Sequence, residues 1–178
     1  MVVLRSLVAA CFCLAAATQV WSQTEVYYRS NAAGMAISRI DRGSIDRYEY
    51  VLVSRQSGGE FVERLLRNGT ETSVRITEEV GGERTVTELE DGIISGRSVY
   101  RDGVPVTEEI YREGERTQRI EYRYDDEGVL QTRSIYDAAG EVLERRNYRY
   151  GPDGRLVRVE YVAEGLGRTT IYRFGGAG

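Results

Sequence analysis

Apolar and polar positions alternate with a period of two through much of the chain. In residues 72–77, Thr72, Val74 and Ile76 oppose Ser73, Arg75 and Thr77. In residues 116–124, Gln118, Ile120, Tyr122 and Tyr124 share one side, and Thr117, Arg119, Glu121 and Arg123 the other. In residues 156–162, Val157, Val159 and Tyr161 oppose Leu156, Arg158 and Glu160. Such alternation predicts strands with one dry and one wet face. Helical periodicity is weak; its best candidate, Glu60 to Arg67, reads equally well as a strand.

Glycine punctuates these runs at Gly58/Gly59, Gly69, Gly81/Gly82, Gly92, Gly103, Gly114, Gly128, Gly140, Gly154 and Gly165/Gly167. Most sit in turn-forming company: Asn68-Gly69, Asp91-Gly92, Asp102-Gly103, Asp126-Glu127-Gly128 and Pro152-Asp153-Gly154. Asn-Gly and Asp-Gly reach positive φ cheaply and are strong hairpin signals. Residues 23–57 are less regular, with a strand expected at Tyr48 to Val53 and others at Tyr27-Tyr28 and Met35 to Ile40. The pattern predicts an all-β fold, an antiparallel hairpin-repeat meander of roughly ten or more strands, each linked to the next by a hairpin. With no helix to cover it, the dry face must be covered by the sheet's own curvature. A curled single sheet, a half-barrel and a closed barrel all satisfy this, because twisted open sheets rarely exceed about ten strands without curling.

The first residues belong to another class. Arg5 is followed by an apolar or small run from Ser6 to Ala17, and no further charge occurs before Glu25. This predicts a signal peptide over residues 1–22, with cleavage after Ser22 preferred to cleavage after Ala17. Val8-Ala9-Ala10-Cys11 has the form of a lipobox, but it sits inside the apolar run rather than at its end, which disfavours a lipid anchor on Cys11. A single domain is expected over residues 23–174, with a flexible tail at 175–178. The expected location is the periplasm or the exterior, with no transmembrane span once the signal is removed.

Composition sharpens this picture. Cys11 and Cys13 are the only cysteines, so the processed chain has no disulfide to staple it and relies on packing alone. Every basic residue is Arg, and beyond Arg5 the chain holds 23 Arg against 28 acids. Net negative charge argues against nucleic acid as a partner, since phosphate neutralisation needs a basic patch.

One unit recurs near the C-terminus: Tyr124-Asp125-Asp126-Glu127-Gly128-Val129-Leu130, Tyr136-Asp137-Ala138-Ala139-Gly140-Glu141-Val142-Leu143 and Tyr150-Gly151-Pro152-Asp153-Gly154-Arg155-Leu156, with Thr169 to Phe174 as a closing strand. The stretch resembles the YD (Rhs-type) repeat family. Looser units at Tyr100 to Gly103 and Tyr111 to Gly114 resemble MORN-like β-hairpin repeats. The resemblance implies successive hairpins in a long sheet of a bacterial exported protein. In the family's large members that sheet encloses a cargo polypeptide; this chain is too short for that, and Gly151 stands where the family has Asp.

Nine of the thirteen tyrosines lie between Tyr100 and Tyr172, mostly just before a turn. There a ring packs on the neighbouring hairpin while its hydroxyl stays wet. Packing is the plainer role for residues that recur with a repeat. The functional reading is an aromatic binding face of Tyr122, Tyr124, Tyr136, Tyr148, Tyr150 and Tyr161, for a protein or glycan of the cell envelope.

Catalytic chemistry is sparse. With no His, and no Cys in the processed chain, the usual nucleophile–base pairs and histidine or thiolate metal sites are missing. No cofactor, metal site or catalytic residue is expected. Asp125-Asp126-Glu127 and Asp153 sit in turns, where acids serve turn geometry more often than calcium. The expectation is a non-enzymatic β-repeat scaffold or interaction protein of the bacterial envelope. Two alternatives stand beside it: a periplasmic carrier of an apolar ligand (lipid or lipoprotein) in a half-open barrel, and a carboxylate-dependent glycosidase.

Overall fold

A computed structural model describes residues 24–174. The expected signal peptide and the expected tail lie outside the described residues. The fold is all-β, a single open sheet of thirteen strands. The strands are β1 Glu25–Ser30, β2 Ala36–Ile40, β3 Tyr50–Ser57, β4 Glu60–Arg67, β5 Thr70–Val80, β6 Glu83–Glu90, β7 Ile93–Arg101, β8 Val104–Arg112, β9 Glu115–Tyr124, β10 Leu130–Asp137, β11 Val142–Tyr150, β12 Leu156–Ala163 and β13 Arg168–Arg173. All neighbouring pairs are antiparallel, and Glu60–Arg67 is a strand. The sheet does not close, so the barrel alternative is corrected: among the described residues β13 and β2 are its two edge strands.

Turn chemistry explains the meander. Six successive hairpins, from β3–β4 to β8–β9, turn on two residues that both have positive φ: Gly58-Gly59, Asn68-Gly69, Gly81-Gly82, Asp91-Gly92, Asp102-Gly103 and Glu113-Gly114. This geometry matches the right-handed twist of the flanking strands. Glu113 is the misfit, because at φ 54° an unbranched acid gains none of the local hydrogen bonding that helps Asn or Asp. Glu113→Asn is expected to stabilise the protein by up to about 1 kcal/mol, read as a raised urea midpoint at unchanged slope.

Beyond β9 the turns lengthen into one recurring form. The Gly128 N–H donates to the Asp125 carbonyl, and the Asp125 carboxylate accepts the N–H groups of Glu127 and Val129. Asp137 and Gly140 repeat the backbone bond, with the Asp137 carboxylate taking the Glu141 N–H. At Gly151 there is no such side chain, and the Asp153 carboxylate takes the Arg155 N–H instead. Asn31-Ala32-Ala33-Gly34 is a fourth copy, its Oδ1 accepting from Ala33 and Met35. These acids use their oxygens on the turn itself.

The N-terminal end departs from a simple meander. β1 lies between β2 and β3, so the β2–β3 link is a crossover rather than a hairpin. That link contains a short 3-10 helix, Arg42–Arg47. Ile45 and Tyr48 from this crossover, with Ile40 and Leu66, pack on Tyr27, Val51 and Val53. On the other side the Asn31 turn reaches over β4, with Gly34 beside Leu65. The expectation that nothing but curvature covers the sheet therefore fails here: both faces are covered locally, and Val51 and Val53 are 1% and 2% exposed.

Beyond β4 the sheet is a single layer. Its strands are stabilised by cross-strand pairs such as Arg75 to Glu88 (2.9 Å) and Arg116 to Glu109 (3.1 Å). Extra residues at Thr72, Ser95, Val106, Thr117, Gln131, Leu143 and Val157 form bulges near the strand starts. The hydroxyls of Thr72, Ser95 and Thr117 each donate to the carbonyl seven residues earlier. A bulge shifts the alternation by one residue. Leu156 accordingly lies opposite Tyr150 and shares a face with Val159 and Tyr161, where strict alternation opposes them.

Candidate functional site

Register assembles the candidate residues row by row. Tyr122 (β9), Arg133 (β10), Arg146 (β11) and Tyr161 (β12) are successive cross-strand partners on one face. Tyr148, Val159 and Tyr172 form the next row. Tyr124 opposite Leu130 and Tyr150 opposite Leu156 continue the same face beyond it. Phe174 extends the edge, its N–H donating to the Val157 carbonyl at 3.0 Å. Five of the six tyrosines expected to form a binding face thus share one. Tyr136 does not: it pairs with Arg119 on the opposite face, and its hydroxyl donates to Glu121 at 3.0 Å. The reason is parity, because Ile135 rather than Tyr136 is in register with Ile120 on the platform side.

The two arginines in the row are held rather than free. Arg133 lies over the Tyr122 ring at 5.9 Å and Arg146 over the Tyr161 ring at 5.6 Å. Glu144 bonds Arg146 Nε at 2.6 Å and lies 3.6 Å from Arg133. The Tyr122 hydroxyl donates to Glu108 at 3.1 Å, and the Tyr124 hydroxyl to the Pro105 carbonyl at 2.8 Å. The hydroxyls are therefore tied to β8, not simply wet as expected. Arg146, Tyr148, Val159, Tyr161, Tyr172 and Phe174 line a shallow open groove at the β13 edge. Its outermost rings stand well into solvent, Tyr172 at 54% and Phe174 at 49% exposure. Sequence reasoning missed Tyr172 and Phe174 as members of the face, although their i, i+2 spacing in the closing strand was the available signal.

Burial raises the pKa values of Tyr122, Tyr124 and Tyr150 above the ordinary tyrosine value. Glu108 adds to this at Tyr122 and Tyr148 at Tyr150, while Arg133 opposes it at Tyr122. A raised folded-state value means that stability is intact below the unfolded value of about 10 and is lost as pH rises through the folded values. Alkaline titration is expected to unfold the protein together with the tyrosinate absorbance of these buried rings.

Among the described residues no group of acids, His or Cys is arranged to hold a metal ion, and no helix is long and apolar enough to cross a membrane. The buried polar residues there are Ser30 and Ser134, so no carboxylate is sequestered in a cleft.

No family model and no curated protein matches the sequence. Similar solved structures are glycosyltransferases. A variant of TarM from S. aureus is 11% identical, with TM-score 0.32, covering 66% of this chain and 20% of that one. Another TarM structure is 13% identical, with TM-score 0.29, covering 67% and 20%. The pneumococcal O-GlcNAc transferase GtfA is 12% identical, with TM-score 0.34, covering 66% and 20%. The chain spans about a fifth of the length of these proteins. Likeness this slight carries no argument about activity.

Proposed function

We propose that the chain is an exported, non-enzymatic β-repeat protein of the bacterial cell envelope that serves as an interaction scaffold. The observation that carries this reading is the tyrosine platform on an uncovered sheet face. Rings of Tyr148, Tyr161, Tyr172 and Phe174 border a groove open to solvent rather than an enclosed cavity. Rings with an apolar body and a polar tip suit partners that are only partly apolar, such as glycans or protein surfaces. The recurring Asp–Gly turns support the YD-type repeat reading, and with it the exported setting. Glu88, Glu109, Glu144 and Asp125 are engaged with arginines or a turn, which suits structure better than glycoside cleavage.

The carrier reading draws on the same groove, and one experiment separates the two. The processed protein is melted alone, with chitin oligosaccharides, with envelope protein extract fractions, and with myristate. A scaffold gives a midpoint shift with a glycan or protein fraction that is lost in Tyr148→Ala/Tyr161→Ala. A shift with myristate alone replaces the scaffold by a carrier.

A further inference from the structure

The face opposite the platform holds three arginines in register on adjacent strands. Elsewhere several registered arginines meet acids: Arg97 faces Glu109, which faces Arg119, and Arg75 lies between Glu63 and Glu88. Among the described residues, Arg faces Arg in two places. On the platform side Arg133 faces Arg146, and Glu144 bridges both. On the other side Arg149 (β11) faces Arg158 (β12), which in turn faces Arg173 (β13). One carboxylate reaches this second row: Glu160, 3.7 Å from Arg158. Arg158 Nε is the one buried side-chain polar atom without a hydrogen-bond partner among the described residues. Arg149 and Arg173 are exposed, and neither makes an ion pair among the described residues. One row further in, Arg123, Thr132 and Asn147 lead across to Glu160, the carboxylate that reaches Arg158.

Like charges directly opposed weaken a sheet, and a buried donor left unpaired adds to the cost. Both penalties vanish if an anion occupies the row. Guanidinium forks match tetrahedral and carboxylate oxyanions, and a phosphate brings the larger charge with several acceptor oxygens at one point. Three adjacent strands place the guanidinium-bearing positions across about 10 Å, which suits linked phosphates better than one isolated ion. We propose that the Arg149–Arg158–Arg173 row is a binding site for an extended phosphate-bearing anion. The site does not involve the tyrosine platform, so it stands or falls separately from the scaffold reading.

Calorimetric titration of the processed protein with sodium tripolyphosphate tests it, with citrate as a multivalent carboxylate control. Tripolyphosphate is expected to bind at least tenfold more tightly than citrate. Arg149→Ser and Arg173→Ser each weaken it at least tenfold, and Tyr161→Ser leaves it unchanged. Without ligand, Arg149→Ser raises the melting temperature, because it removes a repulsion. Phosphatidylglycerol vesicles form a second arm. Vesicle binding lost in Arg149→Ser identifies a lipid headgroup as the phosphate source, and tripolyphosphate binding without vesicle binding identifies a soluble or polymeric phosphate. Failure of tripolyphosphate to bind, equal binding of citrate, or affinity unchanged in both arginine variants overturns the proposal.

Discussion

Replacing Val51 and Val53 together by alanine costs about 3–5 kcal/mol, from roughly 0.8 kcal/mol per buried methylene plus the cavities left behind. No other positions among the described residues are as deeply enclosed, at 1% and 2% exposure. They sit where the 3-10 crossover covers one face and the Asn31 turn approaches the other, so the surroundings have little freedom to collapse. A domain's whole stability is about 5–15 kcal/mol, so the loss is a large share of it. The double variant is expected to lower the urea midpoint steeply. Amide exchange should lose protection first in β1 to β4 and later in β9 to β12, because each strand of a single-layer sheet leans chiefly on its two neighbours. Uniform loss across the sheet, or a cost below about 1 kcal/mol, would show that the N-terminal end is not the anchor.

Ile120→Ala is the second large effect, expected at about 2–4 kcal/mol. Ile120 is 5% exposed in the middle of β9, in register with Ile135 and Glu108, and Tyr122 two residues on is tied to Glu108. Its removal opens the row beneath the platform. Ile110 is the internal control: the same residue type one strand away, but 42% exposed. Ile110→Ala should cost under about 1 kcal/mol. If the two variants denature at the same urea concentration, burial within a single layer is not what stabilises this half of the sheet.

Much of the architecture was legible because it is local. Asn68-Gly69, Asp91-Gly92 and Asp102-Gly103 specify their own backbone geometry, and all three turn with positive φ at both residues. The repeat unit was visible for a similar reason: the side chains of Asp125 and Asp137 close their turns without help from elsewhere. Asn31-Ala32-Ala33-Gly34 carries the same signal and was overlooked, since no tyrosine precedes it and Asn replaces Asp. The crossover was not legible. Whether β3 pairs with β2 or with β1 depends on what buries Val51 and Val53, and no local pattern reports that.

The amino-acid order alone determined that this chain makes hairpin-linked strands, where they turn, and that it carries no imidazole and no thiol beyond Cys13. Those outcomes follow from φ preferences and side-chain inventory, which act within a few residues. Only the tertiary structure decided which side chains meet. A bulge near the start of β12 moves Leu156 to the tyrosine side, parity sends Tyr136 to the other, and the pairing of β11, β12 and β13 sets Arg149, Arg158 and Arg173 in line. The physical reason is that strand faces alternate with a period of two, so one added residue reverses every assignment beyond it until register is set by the neighbouring strand.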